Sequence, residues 1–300
     1  MTNALGAIGR YFDRQIKPVL QGESVIRKLI PLNTELSGKG IGMTSIETFN
    51  YTATGGASTD YMIHESQTDT MDITSDVLKI PVQQQEITID ARTWAAYVAN
   101  GTNVEADAVL DMAANISKEQ DTNGIAGWAP DGTNTEMDGL YSVAGNTYSG
   151  ATFGTYGNAI LAASNAKKLL KADNITSTAY NLTLHGDQFA EIESSVSTTG
   201  VEEYKQVLRI LNNGSLTGEG QILESNDLMA GQGMVTPVAS QANRRYFDLI
   251  EAQTPMNRLF VIGDPETSPV HVRQVAAMTQ RFKHLDASDN DACVCSVTGI

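Results

Sequence analysis

The sequence predicts an α+β protein, and three observations support this class. Residues Ile41 to Asp90 carry alternating apolar residues on both sides of Gly55-Gly56, which predicts a long β-hairpin. Residues Asn103 to Ile125 repeat apolar residues at helical spacing, which predicts the longest helix of the chain. From Tyr156 onward helices alternate with strands before a β-rich end, a pattern typical of α/β or α+β lobes.

The predicted hairpin has the arms Met43 to Thr54 and Tyr61 to Ile89. Lys79 is its single base among many acids. A two-stranded ribbon is marginally stable alone in water, and its unpaired edges favour pairing with another chain. The hairpin therefore indicates assembly of several molecules rather than catalysis.

The segment before the hairpin is basic. Residues Leu5 to Lys28 predict a short helix or extended arm broken at Pro18 and Gly22, and Ile26 to Leu32 predicts a strand-like stretch. A basic arm beside an acidic hairpin suits contacts between copies of one chain. For Arg10 to Lys28 taken alone, a solvated amphipathic helix is an equally good interpretation.

The middle of the chain predicts two helices and then a loop. Asp90 to Asn100 is the first helix, and Asn103 caps the long helix that follows, which ends at Gly124 or Gly127. Residues Ala129 to Thr155, which include the apolar island Gly139 to Val143, predict a loop with at most one short strand, and a domain boundary fits there.

The later elements are predicted from their apolar spacing. The predicted helices are Tyr156 to Leu170, Asp187 to Ser195 and Val201 to Leu211. The predicted strands are Tyr180 to His185, Gln221 to Glu224, Met234 to Val238, Tyr246 to Ala252, Leu259 to Gly263 and Val270 to Phe282.

Composition limits the function. The 300 residues are 41% hydrophobic, which is enough for a sizeable core and excludes disorder as the main state. No run of about eighteen apolar residues and no signal-peptide pattern occurs, so we expect a soluble intracellular chain without a membrane partner. The net charge of −15 argues against general or sequence-specific nucleic-acid binding.

No residue is predicted to be catalytic, to bind a cofactor or to hold a metal. Cys293 and Cys295 are not expected to form a disulfide framework, because their spacing does not favour an easy bridge, and no zinc-ligand spacing includes them. The remaining candidates fit turns, exposed faces or packing better than chemistry: His64, His185, His271, His284, Gly218-Glu-Gly220, Gly231-Gln-Gly233, Ser225, Ser240, Glu202-Glu203, Asp289, Asp291, Trp94 and Trp128.

In the order of its elements the chain resembles the HK97-type shell proteins, which include the major capsid proteins of tailed viruses and the encapsulins. Order and spacing carry the resemblance rather than any single motif. The segments that match are Ile16 to Leu32 (arm), Ile41 to Gln83 (extended loop), Val104 to Gly124 (spine helix), Gly139 to Gly145 (Gly-Leu segment), and Phe247 to Gln253 with Val270 to Phe282 (paired late strands).

The resemblance implies an HK97-like fold with four parts. These are an N-terminal arm (1–40), an extended β-hairpin loop (41–84), a peripheral domain with the spine helix (85–150 and 265–300) and an axial domain (151–264). The arm and the loop would lie over a neighbouring copy. Cross-linking through a loop lysine, known in some capsids, is in doubt because Lys79 lies near the base of the hairpin.

The function implied is self-assembly of many copies of the chain into an icosahedral shell, as pentamers alone or as pentamers and hexamers, with no enzymatic activity. A major capsid protein enclosing double-stranded DNA in a virion, assembled in the host cytoplasm with portal, scaffold or decoration proteins, is the first hypothesis. An encapsulin-like cytoplasmic compartment enclosing cargo enzymes is the second. An enzyme with an unrecognised site, or a β-rich surface-binding protein, is the distant alternative.

Overall fold

The computed structural model describes residues 24–53, 71–100, 104–264, 267–283 and 293–300, which form a mixed α+β structure. The helices are α1 (Ile26–Leu29), α2 (Ala91–Asn100), α3 (Val104–Ala126), α4 (Asn158–Ala172), α5 (Gly186–Ser194) and α6 (Glu203–Leu211). The strands are β1 (Ser45–Ala53), β2 (Met71–Lys79), β3 (Val82–Ile89), β4 (Asn146–Ser149), β5 (Tyr180–Leu184), β6 (Ile222–Glu224), β7 (Gln232–Pro237), β8 (Phe247–Val261), β9 (Val270–Phe282) and β10 (Cys295–Thr298).

A five-stranded sheet in the order β4-β10-β7-β5-β6 forms the larger unit. Strand β5 is buried at all five positions, as expected for a strand covered on both faces. Helix α4 packs on β4, β10 and β7, and α6 packs on α4 and β5. The buried face of α4 is largely alanine, which lets the helix approach the sheet closely; it comprises Ala159, Ala162, Ala163, Ala166 and Leu170.

A three-stranded antiparallel sheet in the order β3-β9-β8 lies against the long helix α3. Met112 and Ala113 of α3 are fully buried and pack in one cluster with Ile89 of β3 and Val272 of β9. The predicted long helix is thereby confirmed. Val109 belongs to the same cluster, whereas Ile125 near the end of the helix packs in the main core with Ile26 and Leu140.

Helix α3 ends at a close backbone crossing. Gly127 follows it with φ +95°, the left-handed conformation that favours glycine. The amides of Leu140 and Tyr141 donate to the carbonyls of Gly124 and Ile125 at 2.9 and 3.0 Å, which satisfies the carbonyls at the helix end. The apolar island predicted near residue 140 therefore forms a turn that caps α3, and the short strand of this loop is β4.

Three sequence predictions are wrong in detail. Ile26 to Leu32, predicted as strand-like, contains helix α1, because its apolar residues Ile26 and Leu29 are three apart and are both buried against the core. The second hairpin arm, predicted as one strand from Tyr61 to Ile89, is divided at Ile80-Pro81 into β2 and β3, which join different sheets. Proline lacks the N–H that an uninterrupted strand would donate.

The third correction concerns the late strands. Tyr246 to Ala252 and Leu259 to Gly263 were predicted as two strands but form one strand, β8. Its pairing with β9 shifts register between Glu251 and Met256, and this bulged stretch contains Pro255. A proline is tolerated there because β8 is an edge strand. Strand β10 was not predicted as a strand at all.

Candidate assembly surfaces

The hairpin of β1 and β2 is anchored at its base. Ile46 and Ile80 are buried in a small cluster with Ile250, Ala252 and Ala277. The Thr279 hydroxyl donates to the carbonyl of Lys79 at 3.1 Å, and the Lys79 ammonium pairs with Glu136. The start and the end of the hairpin are therefore attached to the three-stranded sheet.

Beyond that base the hairpin exposes apolar side chains. Strands β1 and β2 pair with each other in register, and in the described part of the chain no other strand joins them. Phe49 is 54% exposed and Val77 is 56% exposed. Their cross-strand partners, Ser75 and Glu47, place both side chains on one face of the ribbon. We call this face the hairpin face.

The segment that enters from the N-terminal side is attached to α3 through Asp121. Oδ1 of Asp121 accepts hydrogen bonds from the Ser24 hydroxyl at 2.8 Å and from the Ile26 amide at 2.9 Å, and Oδ2 accepts one from the Val25 amide at 2.9 Å. Burial raises the pKa of Asp121, and the three hydrogen bonds oppose that rise.

The same attachment requires a glycine on α3. A Cβ at Gly124 would lie 2.6 Å from Cγ1 of Ile26, so only glycine lets α1 pack this closely. Arg27 donates to Gln120 at 3.1 Å and pairs with Glu251. Residues 1–23, which carry most of the predicted arm, lie outside the described residues.

The outer face of the three-stranded sheet, opposite α3, carries a charged cluster. Glu86 on β3 is 2.7 Å from Nδ1 of His271 and 2.7 Å from Nε of Arg273, both on β9. Hydrogen bonds from Arg273 and His271 lower the pKa of Glu86. Phe260 stacks on His271 with ring centroids 5.2 Å apart, and the Arg273 guanidinium lies 5.2 Å from the Phe260 centroid.

The residues considered at the sequence level do not converge on a site. Cys293 and Cys295 are both buried, and burial raises the pKa of Cys295 to about 12, which keeps its thiol protonated at neutral pH. Gly231 is in a turn before β7 with φ +82°, and Gly233 is inside that strand. Among the described residues, no group of three or more His, Cys, Asp or Glu could hold a metal ion.

The other candidates are dispersed as well. The expectation of an exposed face is wrong for Glu203, which is fully buried and accepts hydrogen bonds from the Gly157 and Ala159 amides at 2.9 and 3.1 Å. Ser225 lies 3.3 Å from Asp227, an arrangement of a local turn. Trp94 packs on the edge of the α3 cluster. Within the described ranges no helix is long and apolar enough to cross a membrane. The candidates that fall outside the described residues are His64, His284, Asp289 and Asp291.

Sequence reasoning missed two arrangements. Asp121 was not singled out, and its partners are almost a hundred residues away along the chain, so no local pattern identifies it. The second is a group of cations on α4 and α6. Lys167, Lys168 and Lys171 stand on a helix that contains no acid, and this spacing was a usable signal in a chain of net charge −15.

Comparison with known proteins gives similarity in structure rather than in sequence. No family model matches the sequence, and no curated protein does. The capsid of Myoviridae phage XM1 matches with a TM-score of 0.64 at 15% identity, covering 90% of both chains. A virus-like particle from Pyrococcus furiosus matches with a TM-score of 0.60 at 11% identity, covering 95% of this chain and 97% of that one. The capsid of an empty GTA particle matches with a TM-score of 0.57 at 10% identity, covering 88% of both.

These neighbours define the class of fold. The chain has the HK97-like fold, and the predicted α+β architecture with its hairpin and long helix is confirmed. Among the neighbours are capsid subunits of phages and of a GTA particle and the subunit of an archaeal virus-like particle.

Proposed function

We propose that this chain is the structural subunit of an icosahedral shell, and specifically the major capsid protein of a head-tailed virus that encloses double-stranded DNA. Its fold matches capsid subunits over about nine tenths of both chains. Modest contacts between identical copies suffice for such a shell, because each copy in a closed assembly makes several of them at once.

The hairpin face is the observation that carries the proposal. Phe49 and Val77 expose more than half of their surfaces on a two-stranded ribbon whose base is attached to the three-stranded sheet. Large apolar side chains on a two-stranded ribbon favour burial against another molecule. A neighbouring copy supplies that cover in a shell.

We assign the parts of the chain to roles in the shell from the similarity of the fold to capsid proteins. Residues 1–40 form the arm, 41–84 the extended loop, 85–150 with 265–300 the peripheral domain and 151–264 the axial domain. Lys79 serves as an anchor at the hairpin base rather than as a cross-linking group, because its ammonium pairs with Glu136 of the same chain. The chain has a structural and not a catalytic role.

The second candidate is an encapsulin-like compartment with enclosed cargo enzymes. The virus-like particle from Pyrococcus furiosus favours it, since that match extends over 95% of this chain. The two hypotheses share the fold and differ in contents. A virion would add portal, scaffold or decoration proteins and would assemble in the host cytoplasm, whereas a compartment would stay there with its cargo.

Negative-stain electron microscopy of the purified chain, with light scattering on the same sample, tests the proposal. Closed hollow particles are expected. A shortened variant lacking residues 52–70 should stay folded and soluble but form no closed particles. A wild-type chain that stays monomeric or dimeric at high concentration, with or without coexpressed scaffold, would contradict the proposal. Particles that copurify with an enzyme and no DNA would favour the compartment.

A further inference from the structure

A basic groove lies between α4 and α6. Its lining includes Lys167, Lys168 and Lys171 from α4 and Arg209 from α6, with Ile210 contributing apolar surface. Lys168, Lys171 and Arg209 are exposed. Within the part of the chain that the structure describes, no acidic side chain lines this groove. Positive charge is thus concentrated at one place in a chain of net charge −15.

One of the four cations is already used inside the subunit. The Lys167 ammonium donates to the carbonyl of Ile210 at the end of α6 and lies 5.6 Å from the centroid of the Tyr180 ring. Burial, and then the neighbouring charge of Lys171, lower the pKa of Lys167. Like charges that repel each other in this way favour the approach of an external anion.

An acidic edge lies at the other end of the same row of helices. Helix α5 packs beside α6 and against the edge strand β6. Asp187 and Glu193 of α5 and Glu224 of β6 are exposed there. The Glu224 carboxylate lies close to Gly186 at the start of α5, which brings the helix and the strand together. We call this set the acidic edge.

We propose that the basic groove of one copy receives the acidic edge of a second copy in a head-to-tail contact. The two patches differ in sign and lie on different elements, so their contact is heterologous, and heterologous contacts close into rings when the rotation permits. This inference rests on the proposed shell function and names the residues that would join neighbours within one ring.

A second copy fits the groove better than nucleic acid does. Copies that each carry a net charge of −15 repel one another, so a stable contact between them requires a local cationic surface on one side. The acidic edge supplies the matching anions on the same molecule. Binding to DNA draws affinity from many phosphate contacts, and exposed acids such as Glu193 on the same row of helices oppose it.

Charge reversal tests the contact on the full-length chain. The groove variant is Lys168→Glu with Lys171→Glu, and the edge variant is Glu193→Lys with Glu224→Lys. The combined variant carries all four changes and keeps the natural net charge of −15. The matched control, Arg92→Glu with Lys118→Glu, makes the same change in net charge as the groove variant, at exposed positions on α2 and α3.

Ring and particle formation are measured by analytical ultracentrifugation and light scattering as a function of concentration, with circular dichroism as the check of folding. The groove and edge variants should each raise the concentration needed for rings by about tenfold, since weak pairs multiply around a closed ring. The combined variant should restore wild-type assembly, and the control should have a much smaller effect.

Four other results would overturn the inference, and a fifth would contradict only the shell proposal. Equal losses of ring formation in the groove variant and in the control would indicate an effect of net charge alone. A combined variant that is folded but does not recover ring formation would exclude the pairing of the basic groove with the acidic edge. A groove variant that assembles normally but retains less double-stranded DNA would assign the groove to nucleic acid. Wild-type rings that never close into shells would contradict the shell proposal alone, whereas a wild-type monomer would overturn both.

Discussion

The attachment of the N-terminal segment to α3 gives the sharpest prediction for stability. Replacing Asp121 by alanine removes the common acceptor of the Ser24 hydroxyl and of the Val25 and Ile26 amides, which lie 2.8 to 2.9 Å from it. Ile26 is fully buried, so water does not readily replace the lost acceptor.

The expected loss of stability follows from counting the hydrogen-bond donors that lose Asp121 as their acceptor. Two backbone amides lose their partner. An unsatisfied buried donor costs about 1 to 3 kcal/mol, with the half-buried Val25 amide at the low end, while the hydroxyl rotates to another acceptor. Removing a desolvated carboxylate offsets part of this cost, because burial penalises its charged form. We expect a net loss of about 2 to 4 kcal/mol and a fall in Tm of about 4 to 8 °C.

Amide hydrogen exchange and thermal unfolding of the monomeric chain are the assays. The Val25 and Ile26 amides should lose protection by about a hundredfold, because 1.4 kcal/mol corresponds to a factor of ten. Asp131→Ala is the matched control, since Asp131 also accepts three hydrogen bonds but in an exposed turn, where water replaces them. Unchanged protection in the Asp121 variant, or an equal effect in the control, would refute the reasoning.

Three further predictions concern the same molecule. Gly139→Ala should lower the free energy of unfolding by about 3 kcal/mol in chemical denaturation, because its Cβ would lie 2.3 Å from the Gly127 amide nitrogen. The control Gly42→Ala should be tolerated, because open space surrounds Gly42. Equal effects of the two variants would contradict the close backbone crossing at the end of α3. The folded state binds the Asp121 proton more tightly than the unfolded state, because burial raises the pKa of Asp121 above its ordinary value of 3.8. The wild type should therefore gain stability over the Asp121→Asn variant as the pH falls through the raised pKa toward 3.8. A stability difference that does not change with pH would be inconsistent with this prediction. The double variant Phe49→Ser, Val77→Ser should leave Tm unchanged but reduce particle yield in light scattering, because both side chains are exposed in the subunit; normal yield would show that the hairpin face is not an interface.

The sequence predicts this fold well where local periodicity and burial agree. Helix α3 and strand β5 were predicted nearly to their ends. Met112 and Ala113 of α3 pack against the three-stranded sheet, and β5 is buried at all five of its positions. Prediction failed where long-range contacts decide the conformation. Helix α1 spans only Ile26–Leu29 and depends on the acceptor at Asp121, and the bulge in β8 depends on its place at the sheet edge.

The candidate surfaces follow the same rule. The pairing of β1 with β2 was predictable, because alternation over two arms is a local signal. The hairpin face was not predictable from the sequence. The division of the second arm at Ile80-Pro81 determines which residues pair in the hairpin and which join the three-stranded sheet. The basic groove and the acidic edge each combine residues from two separate elements, and only the packing of α4, α6 and α5 brings these together.

Strand β10 has a consequence for the order in which the parts of the fold form during synthesis. It lies between β4, its parallel partner, and β7, its antiparallel partner. Thr147 and Ser296 meet in this sheet although 149 positions separate them. The ribosome therefore completes β4 and β7 long before the strand that joins them exists, and such distant pairing forms slowly. The five-stranded sheet is therefore completed only after residue 298 has been synthesised, so its closure is a late event in the folding of the described chain.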